Sequence, residues 1–137
     1  MATKKVHGKN TANYTIETES DGHQYILDYS SRNPNKESAG TSPTGLLLSS
    51  LAGCLLMTAR SYLDRSKIAA DTLEADVTGD FKQSLDGWSL EADAVITTDA
   101  ELDDQHIENL KQFIDRFCTV SAVLSAGNTI NLSIQNV

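Results

Sequence analysis

Between Leu46 and Ala59 the chain is apolar on every side of a helix. Leu46, Leu47, Leu48, Leu51, Ala52, Leu55, Leu56, Met57 and Ala59 leave no polar stripe. A helix with one apolar stripe lies on a core, whereas one that is apolar all round is surrounded by it. The pattern therefore predicts a central helix, buried on all sides. Ser42-Pro43 marks its start. Serine accepts from the free amides, and proline fits the first turn because its missing N–H costs nothing there. Charge returns at Arg60, Asp64, Arg65 and Lys67, the solvated end, where cations suit a helix C-terminus. The uncharged run from Ser38 to Ala59 is long enough to raise a membrane span. Ser49, Ser50, Gly53 and Thr58 interrupt its apolar core, which argues against one.

On either side, the pattern changes to period two. Lys4 to Glu19 reads as one loose strand, with Tyr14, Ile16 and several threonines. Asp21-Gly22 is a hairpin dipeptide, and Gly22 to Ser30 reads as the antiparallel return. Ser31 to Thr41 is a turn-rich loop carrying Arg32, Lys36 and Glu37 into the central helix. Beyond the helix, Leu73 to Lys82 alternates, with Leu73, Ala75 and Val77 on one side. Ser84 to Gly87 turns the chain, and Trp88 to Thr98 returns with Leu90, Ala92, Ala94 and Ile96 on one face. Glu91 and Asp93 make the other face wet.

Asp99 to Asp104 is acidic but lacks the glycine and closing glutamate of a calcium loop. Asp103 reads instead as a helix cap. Ile107, Leu110, Phe113, Ile114 and Phe117 then form the stripe of an amphipathic second helix. Thr119 is expected to cap a short further helix through Leu124, closed by Ala126-Gly127-Asn128. Thr129 to Val137 is expected to end the chain as a strand, with Ile130, Leu132 and Ile134 inward. The order is β-β-α-β-β-α-(α)-β, an α+β fold with an antiparallel sheet packed on two main helices.

Composition adds a constraint. The 137 residues suit a single domain, but only 39% of them are hydrophobic. A helix apolar all round needs more cover than so polar a chain provides, which favours an oligomer. A net charge of −8 repels a phosphate backbone, so nucleic acid is not an expected partner. The start, MATKKVHGKN, has lysines but no apolar stretch of a secretory signal, so the expected location is cytoplasmic. Two cysteines in that compartment are reduced at rest. His7, His23 and His106 are scattered without metal-ligand spacing, and no metal is expected.

Those cysteines are the candidate chemistry. Cys54 lies mid-helix and Cys118 at a helix junction. Either alone reads as a small apolar residue. If the second helix packs beside the first, the two sulfurs can reach disulfide distance. One thiolate could then attack a peroxide and become a sulfenic acid, which the other thiol condenses to a disulfide. Cys54 lies too far from its helix start to gain from the dipole, and apolar surroundings raise a thiol's pKa. The expectation is therefore a cation from another segment. Arg60, six positions on, points elsewhere on the helix, whereas Arg32 in the preceding loop is freer.

Ser42-Pro43-Thr44-Gly45-Leu46-Leu47-Leu48 with Leu51-Ala52-Gly53-Cys54, Met57-Thr58-Ala59-Arg60-Ser61-Tyr62 and Phe117-Cys118-Thr119-Val120-Ser121 resemble the OsmC/Ohr family of thiol-dependent peroxidases. Gly22-His23-Gln24 resembles its small OsmC-like (YhfA-type) branch. The resemblance runs along nearly the whole chain. It implies one OsmC-like domain over residues 1–137, in an intertwined homodimer with central cysteine helices. It further implies reduction of organic hydroperoxides or hydrogen peroxide, with Cys54 attacking and Cys118 resolving. A small or lipoyl dithiol would recycle the pair, without metal, haem or other cofactor.

Two positions depart from the family pattern. The glutamate that commonly follows the proline and holds an arginine is replaced by Thr44 and Gly45, and residues 1–31 contain no arginine. Glycine within a helix costs about 1 kcal/mol against alanine, so Gly45 suggests close backbone approach. On the peroxidase reading, Arg32 with Glu37 stands in for the missing pair. The alternative is a catalytically weak scaffold that binds a small apolar or thiol-reactive ligand at the dimer interface. The third reading is two inert core thiols.

Overall fold

The computed structural model describes residues 3–32 and 37–135. The chain forms two compact units, Met1–Ser49 and Ser50–Val137.

The first unit is an antiparallel three-stranded sheet, β1 (His7–Ala12), β2 (Thr15–Ser20) and β3 (His23–Leu27), in that spatial order. Asp21 and Gly22 turn β2 into β3 with positive φ at both residues, the conformation that tight hairpins require. The expected single strand from Lys4 to Glu19 is in fact a hairpin. Asn13, at φ 47°, reverses the chain after a register shift between Asn10 and Ala12. Asn tolerates the left-handed region, and the Asn10 side chain donates to the carbonyls of Asn13 and Thr15, each at 3.0 Å.

After β3 comes a single 3₁₀ turn, Ser30–Arg32. Within the expected loop, Lys36 lies outside the described residues. Thr41 then forms a parallel bridge with Leu27. Gly40 permits that approach, since a Cβ there would collide with the Ile26 carbonyl. Asp28, buried, ties the segment together: Oδ2 accepts from Thr15 Oγ1 and the Ala39 N–H, and Oδ1 accepts from the Tyr29 N–H.

The central helix, α1 (Pro43–Arg65), starts where the sequence places it. Ser42 Oγ accepts from the Gly45 N–H at 3.1 Å. Gly45 does mark a close approach, because a Cβ there would meet Thr41 Oγ1. Most of α1 belongs to the second unit, where Leu51, Leu55, Thr58, Ala59, Tyr62 and Leu63 are buried. Burial on all sides is not met: Met57 is 77% exposed. Within its own unit the helix is covered on one side only.

The second unit continues with the hairpin of β4 (Leu73–Ser84) and β5 (Gly87–Thr98), paired without a bulge from Leu73↔Thr98 to Ser84↔Gly87. Gly87, at φ 113°, closes the two-residue loop. Alternate β4 residues from Leu73 to Phe81 are half-buried, as the pattern predicts. The second helix, α2 (Asp104–Phe117), is capped by Asp103, whose Oδ1 accepts from the His106 N–H at 2.7 Å. Its stripe meets α1 around Ala59, Tyr62, Leu63 and Leu110, with Leu73, Ile96, Phe113 and Ile114 packed against them.

A short helix, α3 (Thr119–Leu124), follows. Thr119 is its first residue and not its cap; Cys118 holds the cap position. The expected closing strand is not formed in residues 129–135, and the rest of it lies outside the described residues. Ile130, Leu132 and Ile134 are 92%, 83% and 87% exposed. Their alternation is that of a strand, but among the described residues no sheet edge of the second unit pairs with them.

Candidate active site

The site is built where α1 passes the junction of α2 and α3. Positions 51, 55, 58 and 62 share one buried face of α1 through the three-and-four spacing of a helix. Cys54 lies at the edge of that face, half-buried. Thr58, one turn on, is 9% exposed and its Oγ1 donates to the Cys54 carbonyl at 2.7 Å.

Opposite lies Cys118, with no exposed surface. It ends α2 and begins α3 in extended conformation, φ −76° and ψ 102°. Its N–H still donates to the Ile114 carbonyl and its carbonyl already accepts from the Ala122 N–H. One extended residue between two helices swings the chain, so the first amides of α3 face Cys54. Leu51, Leu55 and Cys118 form the local core, with Cys54, Val77, Ile96, Ile114, Val120 and Leu124 against it.

Cys54 packs against the cluster that holds Cys118, and their environments separate the two thiols. Burial pushes the Cys54 thiol up. The Val120 N–H, the Cys118 thiol, the Thr119 N–H and the Thr58 hydroxyl outweigh it and hold the group below the usual thiol value. Burial also pushes the Cys118 thiol up. The neighbouring Cys54 sulfur adds to this, through its hydrogen bond and its charge, against opposing donors from Ser121 and Thr58. Ionisation is therefore directed to the more exposed cysteine.

The expected need for a cation is not met in this form. The contacts that lower Cys54 are four neutral donors supplied within its own unit. Arg60 is turned away, with both terminal guanidinium nitrogens donating to the Ala70 carbonyl at 3.4 Å. Arg32 belongs to the first unit, where its guanidinium lies over the rings of Tyr14 and Tyr29, at 5.4 and 5.1 Å from their centres. Glu37, exposed, also belongs to the first unit. The structure thus brings Cys54 and Cys118 together in one unit and leaves Arg32 and Glu37 in the other. Sequence reasoning missed Thr58 and the amides of Thr119 and Val120. The i+4 spacing from Cys54 was the available signal for the first, whereas the amides have no residue-type signature.

Beside this cluster, an apolar groove of about 590 Å³ runs between β5 and α2. Leu55, Ile96, Leu102, Ile107, Leu110 and Ile114 line it, with Lys111 and Asp115 among its polar residues. Among the described residues, no three His, Cys, Asp or Glu side chains gather as a metal site.

The OsmC-like protein family matches residues 34–133. No curated protein sequence matches the chain. Among solved structures, an OsmC-like protein from Mycoplasma pneumoniae aligns with TM-score 0.78 at 24% identity, over 90% of this chain and 88% of the other. An OsmC-like protein of unknown function from Vibrio cholerae aligns with TM-score 0.71 at 12% identity, over 90% and 94%. A Legionella pneumophila OsmC, described as an organic hydroperoxide resistance protein, aligns with TM-score 0.68 at 19% identity, over 90% of each chain. By length and composition α1 could cross a membrane. It lies inside the matched stretch, however, and packs against the chain's own hairpin and second helix as a core helix does. The family match covers both cysteines and most of the chain, and the protein belongs to the OsmC-like family.

Proposed function

We propose that this protein is a thiol-dependent peroxidase that reduces organic hydroperoxides or hydrogen peroxide through a two-cysteine cycle. The observation that carries the reading is the packing of Cys54 against the cluster that holds buried Cys118, in surroundings that favour the thiolate on Cys54 and disfavour it on Cys118. The Cys54 thiolate donates an electron pair to the terminal peroxide oxygen. The O–O bond breaks, a sulfenic acid forms, and the released alkoxide takes a proton and leaves as an alcohol. The Cys118 sulfur then displaces hydroxide from that sulfenic acid, giving a disulfide and water. A small or lipoyl dithiol returns both thiols by exchange. The Legionella protein's description favours a hydroperoxide as substrate. The groove beside the cysteines would suit an apolar one.

The working form would be a homodimer in the cytoplasm, one OsmC-like domain per chain. Uncovered Met57 on α1 and the exposed Ile130, Leu132 and Ile134 support a second copy as the missing cover. Arg32 and Glu37 remain candidates to complete the site in that assembly.

The test is a thiol titration before and after one equivalent of an organic hydroperoxide, followed by intact mass. Loss of both thiols with a mass lower by about two hydrogens is expected. Persistence of both thiols would overturn the reading. In that case the 590 Å³ groove favours the second one, a scaffold binding a small apolar ligand without turnover.

A further inference from the structure

Arg32 ends the 3₁₀ turn with its backbone N–H donating to the Tyr29 carbonyl at 3.0 Å, and its guanidinium lies over the rings of Tyr14 and Tyr29. Ring contacts engage the charge of a guanidinium and leave its fork of N–H donors unused. Among the described residues, no carboxylate or other oxygen accepts from that fork. All three side chains line a cavity of about 440 Å³ that lies wholly within the first unit. Ile16, Leu27 and Pro43 give it an apolar wall. Asp28 also lines the cavity, but its carboxylate is turned to other donors, the Thr15 hydroxyl and the N–H groups of Tyr29 and Ala39. The bond from the Tyr29 N–H, at 2.8 Å, fixes the backbone that carries one of the two rings.

We propose that this cavity is a carboxylate-binding site, in which the Arg32 guanidinium takes both oxygens of the ligand and the apolar wall takes a short hydrocarbon body. A guanidinium fork matches a planar carboxylate, and a fork already held against two rings loses little freedom on binding. A phosphate would fit the fork as well. Asp28 decides between the two, because its buried negative charge repels a dianion about twice as strongly as a monoanion. The net charge of −8 has the same sense: it gives no general attraction for anions, so binding rests on the fork. The cysteine cluster lies in the other unit, and the carboxylate site stands whether or not the protein reduces peroxides.

The experiment titrates isotope-labelled full-length protein with sodium hexanoate and follows the Arg32 Nε–H resonance. Saturable binding that shifts this resonance is expected. Hexanol has the same body without the charge, and hexyl phosphate carries the other anion; both should bind more weakly. Arg32→Gln should weaken hexanoate binding about ten- to a hundredfold, as the loss of a hydrogen bond to a charged group does. Arg32→Lys keeps the charge and loses the fork, and its affinity should fall between the two. Arg32 is exposed, so both variants should keep the fold, which unchanged resonances from the second unit would verify. Absence of saturation up to about 10 mM hexanoate overturns the proposal. So does wild-type affinity in either variant, or tighter binding of hexanol or hexyl phosphate than of hexanoate.

Discussion

The backbone N–H of Val120 faces the sulfur of Cys54. The residues stand far apart in sequence, and their meeting depends on the single extended residue, Cys118, between α2 and α3. A helical Cys118 would fuse the two helices and tie that amide into the helix ladder. The residue that supplies the second sulfur therefore also sets the backbone turn that favours a thiolate on the first.

Separate titration of the two thiols follows from this arrangement. An acid whose pKa is lowered is already ionised below its ordinary value, so Cys54 alkylation should level off before the usual thiol range. Cys118 has its pKa raised, and its alkylation should begin only above that range. Replacing Cys118 by alanine removes a donor from Cys54 and should move its midpoint upward. Site-resolved labelling across pH checks all three. Two coincident curves at the ordinary thiol value would contradict the geometry.

Gly40→Ala tests the first unit. The added Cβ would run into the Ile26 backbone carbonyl, which has no rotamer by which to escape. The bridge between Leu27 and Thr41 must open, and with it the Ala39 N–H contact to buried Asp28. A loss of about 1–3 kcal/mol is expected, the range for forced overpacking, read from urea unfolding. Gly53→Ala is the control, since its Cβ would meet open space. It should instead gain about 1 kcal/mol from helix propensity.

What the sequence disclosed and what it hid divide along a physical line. Ser42-Pro43, Asp21-Gly22 and Asp103 each act on a neighbouring backbone group, so their residue types suffice, and all three sit where expected. Asn13 also acts locally, but in a polar run without glycine, so the hairpin it makes reads as one strand in the sequence. The alternation of Ile130, Leu132 and Ile134 states which residues share a face and says nothing of the strand that pairs with them. At the site, both cysteines are visible as letters. The amides of Thr119 and Val120 are identical in every residue type, and only the fold reveals their aim.

Leu63 and Met57 lie on the same helix with opposite surroundings. Leu63 has no exposed surface, packed in the cluster with Ala59, Tyr62 and Leu110. Leu63→Ala should cost about 2–5 kcal/mol through lost burial and the cavity left behind. Met57→Ala removes a side chain that its own chain hardly touches. On an isolated chain the change should stay within about 0.5 kcal/mol. Under a second copy it should cost far more, and the cost should grow on dilution, because folding and association are then linked. Denaturant titrations at two protein concentrations separate the cases.

The terminal segment gives the most direct test of that second copy. Three large apolar side chains at period two stand in solvent at positions 130, 132 and 134, although the chain is only 39% hydrophobic. Left as they are, they make an aggregation-prone segment whose alternation suits a strand that no sheet has taken up. A partner's sheet would cover them and pair their backbone. Wild-type protein should then sediment at twice 14.8 kDa. Leu132→Asp places a charge in the covered face, which an interface excludes, and should shift the protein toward 14.8 kDa. An exposed leucine in a monomer would tolerate the same change with little effect on melting. A wild-type monomer would end the dimer proposal. A Leu132→Asp dimer of unchanged stability would place the contact elsewhere, with Met57 as the next position to charge.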